Sequence, residues 1–190
     1  LQGPMEAILP AADGDSMLIT VLDIEVIVER TATVFEGVTF AGLAVGDLVE
    51  VSGFTDIQGR LRATRIERKD KFVASVSEIG LKGVVSNLAG SAFTLGGYTV
   101  DYSGADLSEV PGGVLADGMQ VEVEGTLDPQ ALRIRAARVE QENFIGSAFE
   151  DNDDVNVQGI ISGFVSAAEM WVNGVPVDAG NASLSPSDLV

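Results

Sequence analysis

The octapeptide Gly46-Asp47-Leu48-Val49-Glu50-Val51-Ser52-Gly53 returns 72 positions later as Gly118-Met119-Gln120-Val121-Glu122-Val123-Glu124-Gly125. Few unrelated octamers agree so well, and self-similarity at a fixed period means that one supersecondary unit is used more than once. Downstream, Ala63-Thr64-Arg65-Ile66-Glu67 matches Ala136-Ala137-Arg138-Val139-Glu140 at a spacing of 73. The one-residue difference is taken up in the turn between the matched segments, Asp56 to Gly59 in one copy and Asp128 to Gln130 in the other. Upstream, Leu1-Gln2-Gly3, Leu81-Lys82-Gly83 and Val157-Gln158-Gly159 mark three starts.

Within each unit the apolar residues alternate with period two, as in Val49-Glu50-Val51 and Ile134-Arg135-Ala136, which places apolar side chains on one face of a strand and charges on the other. Gly96-Gly97 and Asn173-Gly174 are two-residue hairpin turns of the type that needs positive φ. Met17 to Val28 fills the same slot in the first copy, although Leu22-Asp23 lacks the glycine such a turn favours. No stretch has a helical period, and Phe40 to Val45 and Leu107 to Leu115 have room for a single helical turn. The predicted fold is all-β: tandem five-stranded barrels of the oligonucleotide/oligosaccharide-binding (OB) type, with a β-sandwich as the alternative. The predicted boundaries are a first unit over 1–70, a linker over 71–80, a second unit over 81–140, an acidic linker over 141–156 and a partial third unit over 157–190. Half a barrel exposes sheet edges, so a neighbouring module, another copy of the chain or further residues are expected to cover 157–190.

The run from Gly46 to Phe54, followed by Gly59-Arg60-Leu61-Arg62-Ala63-Thr64-Arg65-Ile66-Glu67, resembles the signature of a bacterial family of repeated domains of unknown function. That resemblance implies small OB-like barrels and a periplasmic or cell-surface location, since such domains are common in exported lipoproteins. It supplies no catalytic residue. The second copy departs from the pattern at Met119, where the first has Asp47, a change that a surface turn is expected to tolerate.

Composition narrows the chemistry. The chain has neither Cys nor His, which removes disulfides, thiol catalysis, His-ligated metals and every His-based triad. With 11 basic against 29 acidic residues the net charge is −18, which repels polyphosphates and anionic head groups, so neither nucleic acid nor a bare membrane is an expected partner. No apolar run reaches eighteen residues, so no membrane-spanning helix is expected. A start on Leu1 rather than Met fits an export signal either removed or left out of the sequence, and the fit of Gly3-Pro4-Met5 to the repeat argues that those residues are native.

Three constellations remain. Nine of the eleven basic residues fall in or just after the two final strands: Arg60, Arg62, Arg65, Arg68, Lys69 and Lys71, then Arg133, Arg135 and Arg138. They read either as a nucleic-acid groove or, preferred here, as cross-strand partners of Glu50, Glu122 and Glu124. The acidic run containing Asp151, Asp153 and Asp154 offers oxygen ligands for Ca²⁺ or Mg²⁺. A twelve-residue calcium loop begun at Asn152 has Val157 in place of the required glycine and Gly163 in place of the final Glu, and one begun at Asp151 has Val155 at a ligand position. A solvated linker is the preferred reading. Trp171, with Tyr98 and Tyr102, offers a surface on which a sugar or base could stack; the opposing reading packs Trp171 against an adjacent module.

The expectation is therefore a non-catalytic cell-envelope module without a cofactor that binds or spaces through its surface. An oligosaccharide-binding protein is the alternative, with single-stranded nucleic acid behind it. A carboxylate-based hydrolase ranks last, because it requires two buried carboxylates to converge.

Overall fold

A computed structural model describes residues 1–56, 58, 60–142, 161–172 and 175–182. The described chain is all-β, with two single 3₁₀ turns at Phe40–Gly42 and Pro111–Gly113. The first unit contains β1 (Gln2–Pro10), β2 (Ser16–Val21), β3 (Ile24–Glu29), β4 (Val34–Glu36), β5 (Asp47–Thr55) and β6 (Leu61–Lys71). β1 pairs antiparallel with β2 through its second half and with β5 through its first. β2 pairs with β3, β3 runs parallel to β6, and β6 returns antiparallel to β5. The circuit of hydrogen-bonded neighbours thus closes on itself, and the short β4 lies parallel to β6 outside it.

The second unit repeats the order with β7 (Glu78–Val84), β8 (Ser86–Ala89), β9 (Ala92–Leu95), β10 (Tyr98–Asp101), β11 (Gln120–Asp128) and β12 (Arg133–Gln141). Here the strand corresponding to β1 is broken at the buried Val85 into β7, which pairs with β11, and β8, which pairs with β9. β9 pairs with β10, β10 runs parallel to β12, and β12 pairs with β11. A contact between β1 and β7, at Gln2 opposite Gly80, merges the two circuits into one twelve-stranded sheet. β13 (Ile161–Ser166), β14 (Glu169–Val172) and β15 (Val175–Val177) form a separate antiparallel sheet.

Period-two alternation builds the core. Met17, Ile19 and Val21 on β2, and Val121, Val123 and Leu127 on β11, point inward and are buried. They meet Val26, Val28, Ile66, Phe93, Val100, Ile134 and Val139 in one contiguous apolar cluster spanning both units. Removing this apolar surface from water is the main stabilising contribution.

Two glycines are fixed by close approach. The ladder between β5 and β6 shifts register at Ser52/Gly53, and that between β11 and β12 at Glu124/Gly125. At each bulge a side chain would run into a carbonyl oxygen, of Arg62 in the first unit and of Arg135 in the second.

The first hairpin forms without glycine. Leu22 (φ 51°) and Asp23 (φ 62°) both adopt the left-handed conformation that a two-residue turn between twisted strands requires. Burial of the Leu22 side chain over Gly3 and a hydrogen bond from the Asp23 N–H to Glu6 Oε2 (3.0 Å) offset the strain.

The connection predicted over 71–80 is shorter than the sequence suggests. β6 runs through Lys71 and β7 begins at Glu78, because Ile79 is buried and Gly80 pairs with Gln2. The predicted linker over 141–156 lies largely outside the described residues.

Position 47 also corrects an expectation. Asp47 is fully buried rather than on a surface turn: its Oδ2 accepts the N–H of Ala44 (3.1 Å), and its Oδ1 meets the Lys71 ammonium. Met119 takes over the first of these roles, its sulfur accepting the N–H of Ala116 at 3.0 Å. The turn survives the substitution because the acceptor does.

Candidate functional site

The outer face of β6 is covered by ion pairs. Asp56 is buried (4% exposed), and its carboxylate accepts the backbone N–H groups of Gln58 and Arg60, two N–H groups of the Arg60 guanidinium, and Nε of Arg62 at 3.1 Å. Burial alone would raise its pKa; those hydrogen bonds outweigh it and hold the carboxyl at about 2. Arg62 also donates to Glu29 at 2.8 Å. Arg65 bridges Glu36 (2.7 Å) and Glu67 (2.5 Å), and Lys69 bridges Glu50 (2.7 Å) and Glu67 (2.9 Å). The hydrogen bond from Arg65 lowers the pKa of Glu36, and hydrogen bonds from Lys69 and then Arg65 lower that of Glu67. The expected cross-strand pairing is thus present in the first unit, with Lys69 rather than an arginine serving Glu50.

In the second unit Arg138 keeps its pair with Glu140 (2.6 Å), as Arg65 pairs with Glu67, but the arginines at the turn end of the strand lose theirs. Arg133 and Arg135 occupy the places of Arg60 and Arg62 and are exposed, and among the described residues neither has a carboxylate within ion-pair distance. Asp128, in the place of Asp56, is exposed, and its Oδ1 accepts the N–H groups of Gln130 (3.0 Å) and Ala131 (3.3 Å) instead. Counted from the two hairpin turns, the place of Glu29 falls to Ser103, whose N–H binds Asp101 Oδ1 at 3.1 Å. Asp101 and Thr126 flank Arg135 on the neighbouring strands, as Thr99 and Asp128 flank Arg133. Phe54 stands opposite Arg62 in the first unit, where the second has Thr126.

The result is a surface cleft of about 430 Å³ lined by Thr99, Thr126, Asp128, Arg133, Arg135 and Ser75. Ser75 reaches it from the connection between the units, held by its N–H to the Leu127 carbonyl (2.8 Å). The cleft is cationic at its centre, hydroxylic along its walls and acidic at its margins. Sequence reasoning grouped Arg133 and Arg135 with the paired arginines. The replacement of Phe54 by Thr126 and the missing Glu29 equivalent were the signals that set them apart.

Tyr98 and Tyr102 take different environments. Tyr98 faces the core (4% exposed), because its position on β10 points inward, and its hydroxyl donates to Glu6 Oε1 of the first unit at 3.3 Å. Burial, and then the Glu6 charge, raise its pKa, so it remains a donor. It is a junction residue whose ring is buried in the core. Tyr102 is half-buried, tilted against Phe93 with ring centroids 5.6 Å apart, and donates to the Gly90 carbonyl at 2.9 Å. Trp171 is half-buried on β14, opposite Gly163 and Pro176. Asp151, Asp153 and Asp154 lie outside the described residues. Among the described residues no group of three or more acidic side chains could hold a metal ion, and no helix is long and apolar enough to cross a membrane. The two buried carboxylates there, Asp47 and Asp56, are each neutralised by their own cations.

No curated protein matches the chain. A family profile matches it twice, over residues 2–67 and 82–140, each match covering most of one circuit of strands. With well over half of its length matched, the chain belongs to the family described as Domain of unknown function (DUF5666).

Proposed function

We propose that this chain is a non-catalytic module of the bacterial cell envelope, periplasmic or at the cell surface, built from tandem OB-type barrels that present a fixed surface for binding or spacing. The observation that carries this reading is the junction: Gln2 pairs with Gly80, its Nε2 donates to the Glu78 carbonyl at 2.9 Å, and Tyr98 reaches across to Glu6. These contacts and the shared core favour one rigid body over two beads on a string. The strand order supports the barrel assignment, since in both units the first strand is shared between the second and fourth of the circuit and the third runs parallel to the last. The resemblance to domains of exported lipoproteins supports the location. A neighbouring module or a second copy of the chain covers the open edges of the β13–β15 sheet, where Phe164 and Val165 are exposed.

Because the chain has no cysteine, spin labels at Asp13→Cys and Ser103→Cys would report a unique distance between the units. A single narrow distribution supports the rigid tandem; a broad one refutes it. Oligosaccharide binding is favoured as the second reading by the cleft beside the β11–β12 turn, a position where OB-type barrels accept ligands.

A further inference from the structure

We propose that the cleft on the outer face of β12 binds an acidic saccharide, with Arg133 and Arg135 clamping a uronate carboxylate and Thr99, Thr126, Ser75 and Asp128 receiving the sugar hydroxyls. The proposal rests on the oligosaccharide-binding reading above and names its ligand class.

The two units supply an internal control. The same pair of arginines at the same place is closed in one unit and open in the other. In the first, Asp56 and Glu29 consume both guanidinium groups and Phe54 lies beside Arg62. In the second, neither guanidinium has a carboxylate within ion-pair distance among the described residues: Asp101 hydrogen-bonds Ser103 and feels both arginines only as nearby charges, and Asp128 serves the backbone of its own turn. In a chain with 29 acidic residues and 11 basic ones, two neighbouring arginines that no carboxylate among the described residues reaches within ion-pair distance run against the average environment. Alternation along β12 puts Arg133 and Arg135 on one face, roughly 7 Å apart along the strand, with Ile134 buried between them. At that spacing two planar forks reach one carboxylate from two sides, or two successive carboxylates on a chain.

The walls choose the kind of anion. Thr99 and Thr126 offer hydroxyls beside methyl groups, and Asp128 keeps its Oδ2 as an acceptor while Oδ1 serves the turn. Alternating donors, acceptors and apolar carbon match a pyranose ring better than a bare phosphate. The carboxylates of Asp101 and Asp128 at the rim, within a field of −18 net charge, repel a densely charged polyanion. A saccharide bearing one carboxylate per ring satisfies the centre without crowding the rim. The cleft, at about 430 Å³, falls within the range of small-ligand sites.

The test is calorimetric titration of the full chain with trigalacturonate, its methyl ester and inorganic phosphate. Trigalacturonate is expected to bind saturably and more weakly as salt rises. The ester and phosphate should bind at least about tenfold more weakly, the loss that follows from removing a charge-assisted hydrogen bond. Arg133→Gln with Arg135→Gln should weaken trigalacturonate by about tenfold or more, and Thr126→Phe should block it. Arg68→Gln, an exposed arginine of the first unit, should leave it unchanged. Equal binding of acid and ester, equal binding of phosphate, or full binding by the double variant overturns the proposal. A neutral glycan bound equally well by wild type and double variant overturns the arginine clamp and leaves the oligosaccharide-binding reading standing. A wild-type chain that binds no saccharide, acidic or neutral, overturns both.

Discussion

Asp56 accepts Nε of Arg62 at 3.1 Å, while Asp128, the residue in the same place one unit later, makes no such bond to Arg135. One aspartate is a buried hub for five donor groups, and the other is an exposed turn residue. Asp56→Ala is therefore expected to cost about 2–3 kcal/mol, the loss of charged hydrogen bonds at a buried acceptor. Asp128→Ala should cost about 1 kcal/mol or less. Urea melts of the two variants check the asymmetry, and equal losses would contradict it.

The same hub makes stability depend on acid. The carboxyl of Asp56 lies at about 2 in the folded chain against an ordinary value of 3.8. A depressed pKa means that the folded state holds its proton less tightly, so the stabilisation is complete above about pH 4 and is lost as pH falls through 2. Wild-type urea midpoints should drop across that window more steeply than those of Asp56→Asn, which has no carboxyl to protonate. Parallel profiles would show that Asp56 is not responsible.

Gly53 and Gly125 sit at matching bulges, where an added Cβ meets the carbonyl oxygens of Arg62 and Arg135. Gly53→Val and Gly125→Val should each cost about 3 kcal/mol or more, since backbone rather than a flexible side chain must yield. Gly80→Ala, whose Cβ would come no nearer than 3.8 Å to Gln2, is the mild control and should cost less than about 1 kcal/mol. Thermal or urea unfolding distinguishes the two classes.

Glu50 and Glu122 are one-sided partners. Lys69 keeps Glu67 if Glu50 is removed, and Lys82 keeps Glu142 if Glu122 is removed. Glu50→Ala and Glu122→Ala should each cost about 0.2–1 kcal/mol, as partly exposed cross-strand pairs do. A loss equal to that of Gly53→Val would count against the register given for β5 and β6.

The alternation in Val49-Glu50-Val51 and its copy was legible as strand because burial of one face of a sheet imposes a period that no helix shares. Gly96-Gly97 was legible as a turn for a similar local reason. Leu22-Asp23 was less so, because two residues that resist positive φ are held there by Gly3 and Glu6, which are distant in sequence. Asp47 read as a surface residue for the same reason, since its partner Lys71 lies at the far end of the next strand.

The sequence by itself determined the all-β class and the repeat with its period, because both follow from side-chain alternation and the recurrence of matching segments. Only the tertiary structure decided that Gln2 would meet Gly80 and join two circuits into one sheet, that Tyr98 would turn inward to Glu6, and that Arg133 and Arg135 would stand open while Arg60 and Arg62 are closed. Those outcomes depend on which groups from other strands arrive within about 3 Å, the reach of a hydrogen bond. Two nearly identical stretches of chain can differ in that respect while reading alike.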